Sequence, residues 1–499
     1  MKFLFHYYNV DGKYRLSGFS EWRWLTIMLF VLAAIFSKGF HHPDELYQIM
    51  EYMNVYAGKA TPETLSQLEW QYQMRPWFQP ILFHWVTTPL DWIGFGDPFS
   101  KSMFLRVLTG LLGVFTFSLW SLFLFSNREN EKHRDLTFEI SLWWFIPYFA
   151  VRTSSDTIGA LLCLCAISFI FLDHTMRKKI DWESIIGFCI FSGLAFLFRY
   201  QTLIVTAPAI LWMLFIGKIN LKKFFTSIFL IAFIGQLEWV FNYLGYGGWV
   251  CSTWNHAYSN IILKVSHHFG TMPFWGYFTL VPEKSFYLYG ILFLVVFLFL
   301  WIKKPKDLLT WVTLPYFIIF SFIGHKEVRF LTPLIFLAPI ILSYLFDEIK
   351  NYLGNRASWF ENSVYLLLFL NLLIFPFINF KPANRYLGLY QAVYENKAER
   401  ETLYVFYDDF DRSKNHLRFE LNFYKPHPFK VEPITKLEDI YKNLLIATSK
   451  YRELLIIKKS DHCKIIYQSY PDFVLRLLPD KIKNRSSVLS LARCQPKKD

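Results

Sequence analysis

The sequence predicts an all-α polytopic membrane protein that carries a small α/β soluble domain at its carboxyl end. Three observations carry that reading. Of 499 residues, 54% are apolar or aromatic and 18% are charged, too apolar for disorder and too rich in Phe and Trp for a soluble domain. Uninterrupted apolar runs such as Leu25–Phe36, Ile291–Trp301 and Val364–Phe375 recur, and several reach about twenty residues with their flanks, enough to cross a bilayer. From about Lys381 the runs shorten and charges become frequent.

About 11 transmembrane helices are expected, near 22–40, 103–125, 137–151, 157–173, 184–198, 202–217, 224–243, 286–302, 309–323, 330–346 and 361–378. The first follows Lys13, Arg15 and Arg23 and has no small-residue cleavage site after it, so it reads as a retained anchor. Trp77–Phe95 is read as an interfacial helix in the first outer loop, broken by Pro80 and Pro89 around His84. With that segment non-spanning, the clusters Arg128/Lys132/Arg134, Arg177–Lys179, Lys218/Lys222/Lys223, Lys303/Lys304/Lys306 and Lys350/Arg356 all fall inside. The amino terminus is then inside and the carboxyl terminus outside. Residues 1–380 form the membrane domain and 381–499 the outer one.

In the tail, Thr402–Tyr407, Phe429–Pro433, Leu444–Thr448, Leu454–Lys458 and Lys464–Ser469 read as strands, and Lys436–Lys442 as a helix. Cys163, Cys165 and Cys189 lie in apolar runs. A Cys463–Cys494 disulfide is one option that spacing alone does not select. The excess of thirteen basic residues sits in loop clusters and forms no basic stripe, which argues against nucleic acid.

The outer ends of the spans gather a different set of residues. Asp44 and Glu45 follow His42 and Pro43 and open a segment in which Leu46, Ile49, Met50 and Met53 share one face, with Gln48 and Glu51 pointing elsewhere. A carboxylate there is an ordinary helix cap, yet two acids at a lipid boundary can also take a proton from a hydroxyl. His325-Lys326-Glu327-Val328-Arg329 groups cations between two spans. In a helix, His325 and Arg329 would share a face and hold an anion; a basic patch for lipid headgroups is the plainer reading. Arg75, Arg152 and Arg199 are single cations, Gln201 follows Arg199, and Glu238 near a span end reads equally as a buried, partnered carboxyl. The Tyr243–Tyr277 loop, with Trp254, His256 and Trp275, offers aromatic faces and polar donors suited to sugar, or an interfacial aromatic belt. Its histidines lack metal-site spacing, so no metal and no cofactor are expected.

At these residues the chain resembles a known family. His42-Pro-Asp-Glu45 followed by Gln48, Phe-Arg199-Tyr-Gln-Thr and His325-Lys-Glu-Val-Arg-Phe330 look like glycosyltransferase family 22, the alpha-mannosyltransferases of N-glycan and GPI-anchor assembly. Gly270-Thr-Met-Pro273 with Trp275 is similar to a pattern in that family's long lumenal loop. The resemblance covers roughly residues 20–380. It implies a GT-C fold and inverting transfer of mannose from a polyprenyl- or dolichyl-phosphate-linked donor to a glycan or glycolipid acceptor. The site would lie on the lumenal or periplasmic face of an endoplasmic reticulum or bacterial inner membrane. It would make Asp44 the catalytic base with Glu45 beside it. His325, Lys326, Arg329 and Arg199 would meet the donor phosphate. His42, Gln48, Arg75, Arg152, Gln201, Glu238, Trp254, His256, Trp275 and Glu327 would line the substrate. The family's Thr-Trp-Glu-Trp segment reads Leu68-Glu-Trp-Gln71 here and its Arg-Ser reads Arg75-Pro76. These departures bear on the acceptor more than on the reaction. The alternative is a transporter or flippase of lipid-linked sugars, which would place ionisable groups near mid-membrane in two related halves.

Overall fold

A computed structural model describes residues 6–10, 13–17, 21–65, 67–126, 136–396, 402–406, 422–424, 430–434, 444–479, 482 and 487–495. The Arg128/Lys132/Arg134 cluster and the expected Lys436–Lys442 helix lie outside them. The chain divides into two compact units. One comprises Met1–Ser37, His42–Gly94 and Met103–Lys381, the other Lys38–His41, Phe95–Ser102 and Pro382–Asp499.

The first unit is helical, apart from a short hairpin of β1 (His6–Val10) and β2 (Lys13–Ser17). Where apolar side chains face hydrocarbon, a helix is the one open-chain structure that pairs its own backbone groups. Among the described residues, four segments are long and apolar enough to cross a membrane: Pro98–Ser121, Ser155–Thr175, Leu221–Tyr246 and Val328–Asn379. Trp22–Phe36, Trp182–Phe198, Tyr200–Phe215, Leu288–Lys303 and Leu308–Phe322 are shorter apolar helices. Among the described residues these helices bear out a mostly helical membrane domain, though not eleven separate long spans.

The expected 137–151 span shows why. It breaks into Leu136–Ser141 and Phe145–Ala150. Asn371 accepts from the Trp144 N–H at 2.8 Å and donates to the Leu142 carbonyl at 2.5 Å, and Asn379 donates to the Trp144 carbonyl at 2.9 Å. These two side chains pair the backbone groups that the break frees. Trp77–Phe95 forms a fifteen-residue helix, Phe78–Trp92, with Pro89 inside it.

The Ser155–Arg177 helix is buried along most of its length against Trp182–Phe198 and Thr332–Leu353. Gly159 allows a close approach: a Cβ there would lie 3.0 Å from Arg199 Cβ and 3.2 Å from Thr202 Cγ2. That lets the Arg199 corner sit on the first turns of this helix.

The second unit holds a five-stranded sheet ordered β4-β3-β5-β7-β6, from β3 (Thr402–Phe406), β4 (Lys430–Ile434), β5 (Leu444–Lys450), β6 (Cys463–Gln468) and β7 (Ser487–Cys494). β3 pairs in parallel with β4 and β5, while β7 pairs antiparallel with β5 and β6. The expected strand at Leu454–Lys458 is instead the helix Tyr451–Lys459. Leu454 and Ile457 are buried while Leu455 and Ile456 between them are exposed, a spacing of three that belongs to a helix. β7 was not expected; it carries Cys494, which forms a disulfide with Cys463 on neighbouring β6.

Candidate active site

The site starts at the corner after the first helix. His42 is the N-cap of the next one, extended at φ −122° and ψ 141°, and Pro43 occupies a first-turn position where its missing N–H costs nothing. The His42 Nδ1 accepts the Asp44 N–H at 3.2 Å, and Glu45 Oε1 accepts the His42 N–H at 3.5 Å. This is a capping box with histidine in the usual Ser/Thr place. It gives the two adjacent acids different surroundings. Glu45 is 3% exposed and turns inward, with Thr153 Oγ1 at 3.4 Å and Arg152 Nη1 at 4.0 Å from Oε2. Asp44 turns the other way, and its Oδ2 accepts from Arg329 Nη1 at 2.6 Å across 285 residues.

The helix that follows does not keep a polar face. Leu46–Met50 is a π turn, and Gln48, Glu51 and Asn54 are buried along with Leu46, Ile49, Met50 and Met53. A π turn shifts the following residues around the axis and is common at functional sites.

The His325–Arg329 segment is not helical either. Glu327 is extended (φ −133°, ψ 147°) and only Val328–Leu331 form a 3-10 turn. His325 and Arg329 are joined through the acid between them. Glu327 Oε1 lies 2.9 Å from His325 Nε2, and Glu327 Oε2 accepts from Arg329 Nε at 2.5 Å. His42 Nε2 lies 3.3 Å from the same Oε2. His325 Nδ1 is 3.0 Å from the Gly270 carbonyl, so the ring bridges that carbonyl and Glu327. Lys326 goes elsewhere: its Nζ donates to the Ile323 carbonyl at 2.6 Å and lies 5.8 Å from the Tyr277 ring centre.

Asp156 completes the cluster. Its Oδ2 is 3.6 Å from Arg329 Nη1, and its Oδ1 is 2.9 Å from Arg199 Nε. Arg199 is placed by the end of the Trp182–Phe198 helix, where it is the extended C-cap. Burial opposes charge on Asp44, but His42 and the cations Arg329 and Arg75 outweigh it, and its carboxyl is held well below the usual range. Glu327 is likewise lowered, with burial opposed by Arg329 and His325.

A second corner adjoins the first. Glu69 Oε1 accepts from Arg75 Nη2 at 2.5 Å and from Gln48 Nε2 at 2.9 Å. Burial disfavours the Arg75 cation, and Glu69 and Asp44 more than offset this, so it stays charged. Gln48, Arg75, Arg199, Gln201 and His256 line one small cavity here. Gln201 Nε2 lies 3.0 Å from His256 Nε2. Burial, with the charges of Arg75 and Arg199, pushes His256 well below its usual range, so its ring is neutral.

Arg152 is buried and binds the Ser37 carbonyl at 2.7 Å, at the end of the first helix. Glu238 is buried and fully occupied: it accepts the Thr253 N–H at 2.8 Å, the Thr253 hydroxyl at 2.6 Å and Asn242 Nδ2 at 3.3 Å. Its place is to tie down the loop. Trp254 and Trp275 are about two-thirds exposed, at 67% and 64%. The loop reaches the cluster through backbone, since the Met272 N–H donates to the Gly324 carbonyl at 2.8 Å. Among the described residues no group of three His, Cys, Asp or Glu side chains is set to hold a metal ion.

A model of the Alg9-like mannosyltransferase family matches residues 22–406. The chain belongs to that family. The expected resemblance to glycosyltransferase family 22 is thereby borne out. It is similar to mannosyltransferase APTG1 of Arabidopsis thaliana, 24% identical over 65% of this chain and 59% of that one. It is also similar to GPI alpha-1,2-mannosyltransferase 3 of Homo sapiens, 23% identical over 70% of this chain and 61% of that one. The chain thus spans about three-fifths of the length of these relatives. ArnT from Cupriavidus metallidurans, solved bound to undecaprenyl phosphate, shares the fold at a TM-score of 0.51 and 11% identity, covering 94% of this chain and 97% of that one. The expected mostly helical fold with a small carboxyl-terminal sheet is borne out, while the count of eleven helices is not.

For this family member, sequence reasoning named Asp44, Arg199 and Arg329 but gave no role to Asp156, the acid that joins the two arginines. Its signal was available: Asp156 is a charged residue at a span end, one turn from Arg152. Glu69 was visible only as part of a departing motif, and Gln79 not at all. Gln79 is buried and bridges the Thr153 carbonyl at 2.7 Å and Ser155 Oγ at 2.9 Å, which steadies the loop before Asp156.

Proposed function

We propose that the protein is an inverting glycosyltransferase that moves a mannosyl residue from a polyprenyl-phosphate sugar to a glycan or glycolipid acceptor, on the lumenal or periplasmic side. The observation that carries this is the Asp44–Arg329 pair, a carboxylate and a guanidinium at 2.6 Å within one cluster of opposite charges.

The pair supports a donor-gated mechanism. Without donor, Arg329 neutralises Asp44, and a carboxyl held so low is a weak base. A donor phosphate is a better partner for the guanidinium, which can bind two phosphate oxygens at once. Once Arg329 turns to phosphate, Asp44 loses its strongest cation and its proton affinity rises. Asp44 then takes the proton of the acceptor hydroxyl. The acceptor oxygen forms its bond to the anomeric carbon from the face opposite the phosphate. The carbon–oxygen bond to phosphate breaks with its electron pair, leaving polyprenyl phosphate, whose charge Arg329 and Arg199 offset. No metal is needed for this sequence of steps.

An apolar recess supports the lipid donor. A cavity of about 390 Å³ is walled by Trp143, Tyr148, Phe286, Tyr289, Leu331 and Ile335, with Val328 beside Arg329 at its edge. A polyprenyl chain suits such walls, and the similar ArnT was solved with undecaprenyl phosphate. The Cys463–Cys494 disulfide favours an oxidising compartment for the tail.

The test is incubation of the purified full-length protein with polyprenyl-phosphate mannose and a panel of acceptors. Donor consumption that Asp44→Asn abolishes supports the enzyme, and the product's anomeric configuration reports inversion. Full turnover in Asp44→Asn sinks the assignment of the base. Sugar lipid crossing the bilayer without donor consumption would favour the flippase.

A further inference from the structure

The helices that frame the Asp44 cluster at one end frame a second cavity at the other. The Ser155–Arg177 helix starts beside Asp156 and is capped at its far end by Lys178. Twenty-three residues at a rise of about 1.5 Å make it about 34 Å long, a bilayer's hydrocarbon thickness. The Leu308–Phe322 helix runs from this cavity to the turn before His325, and Thr332–Leu353 leaves the Arg329 turn and passes the cavity with Tyr344.

The cavity encloses about 780 Å³, with His174, Lys178, Trp212, Lys304, Lys306 and Tyr344 among its walls. Its acids are already engaged. Asp307 accepts the Leu309 N–H at 2.8 Å and the Tyr344 hydroxyl at 2.9 Å, Glu348 pairs with Lys304 at 2.5 Å, and Asp347 has partners of its own. Its cations are not all matched. Lys303, also in the wall, lies over the Tyr352 ring at 4.1 Å, and Lys178 and Lys306 have no carboxylate within ion-pair distance among the described residues. The loop that carries Lys306 is held in place: Trp212 Nε1 donates to the Lys306 carbonyl at 2.8 Å and Thr310 Oγ1 to the Lys304 carbonyl at 2.7 Å. His174 packs its ring on Trp212 at 4.8 Å.

We propose that this cavity binds a phosphate group, carried by an anionic lipid headgroup or free in solution, at the end of the helices opposite the catalytic cluster. Ammonium groups without a carboxylate partner, on a fixed loop and a helix cap at the open mouth of the cavity, are what a phosphate needs: charge from several sides. The open side of the recess lets a headgroup enter while its tails stay among the apolar helix faces. The site is independent of the mannosyl-transfer reading, because none of its residues belongs to the Asp44 cluster.

The experiment uses the full-length protein in nanodiscs of phosphatidylcholine with a minority of phosphatidylglycerol, and native mass spectrometry counts the lipid that stays bound. One retained phosphatidylglycerol is expected. At about 1 kcal/mol for each lysine near an anionic headgroup, Lys178→Gln with Lys306→Gln lowers retention roughly thirty-fold. Lys218→Gln with Lys222→Gln, exposed lysines outside the cavity, leaves it unchanged. A melting temperature equal to that of the unaltered protein shows that the first pair still folds. A second arm titrates inorganic phosphate into delipidated, detergent-solubilised unaltered protein by calorimetry. Phosphate binding that persists in Arg329→Ala, without lipid retention, assigns the site to free phosphate and stands even if the lysine variant fails to fold. Equal loss of lipid in both lysine pairs, or no binding of either ligand, overturns the proposal.

Discussion

The two ends of the same helices handle charge in opposite ways. At the Asp44 end, Arg329 touches Asp44, Glu327 and Asp156, and Arg199 shares Asp156, so the cations there meet carboxylates. At the far end, Lys178 and Lys306 face a cavity whose acids are occupied by other partners. A neutralised cluster satisfies its charges without ligand, and in the proposed mechanism an anion opens it by competing for its arginine. An unmatched set of lysines attracts an anion directly. The first arrangement suits a reaction that must wait for its donor, the second suits steady binding.

The comparison is broken most sharply at Asp44. Asp44→Asn is expected to lower turnover about 10²- to 10⁴-fold, the usual worth of a general base, while donor binding stays intact or tightens because Arg329 is released. Steady-state kinetics beside a donor-binding isotherm check this, and weakened donor binding with turnover preserved would reverse the roles. Arg329→Ala is expected to weaken donor binding by roughly thirty-fold or more, from a loss of about 2 kcal/mol. Lys326→Gln should change donor affinity less than about 3-fold, since that ammonium is held by backbone carbonyls. Equal effects in the two variants would mean that Lys326 swings into the site.

Glu45→Gln tests whether adjacent acids do separate jobs. Gln still accepts the His42 N–H and loses only the charge that faces buried Arg152, so a cost of about 1 kcal/mol is expected, seen as a lower melting temperature, with turnover of the folded fraction kept within a few-fold. His256 gives a pH signature. Its folded value is depressed, so the unfolded chain binds the proton first, and stability is expected to fall as pH drops below about 6.5. His256→Gln should flatten that slope in melting scans between neutral and acid pH. The smallest effect belongs to the far end: Lys178→Gln with Lys306→Gln is expected to leave donor turnover within about two-fold, and a larger drop would mean that the two ends are coupled.

Much of the site could be read from types and spacing. The HPDE corner, Arg199 and the HKEVR segment announce themselves because ionisable groups next to apolar spans are costly and therefore rare. The geometry inside each motif could not be read. A helix through His325–Arg329 was a fair reading of the i, i+4 spacing, but Glu327 takes an extended backbone that lets one carboxylate serve both neighbours. The polar face expected for Gln48 and Glu51 vanished because a π turn buries them. The Leu454–Lys458 strand failed because four consecutive apolar residues fit either period, and only burial separates Leu454 and Ile457 from Leu455 and Ile456.

By itself the sequence determined the membrane character, the change of composition near Lys381 and the family, because apolar run length and rare charged motifs are local properties. Only the tertiary structure decided which acid serves which cation. Asp44 meets Arg329 across 285 residues, and Asp156 joins Arg329 to Arg199, because three helix ends are packed to one point. Electrostatic pairing acts over a few ångströms, a distance set by that packing and by nothing in the spacing along the chain.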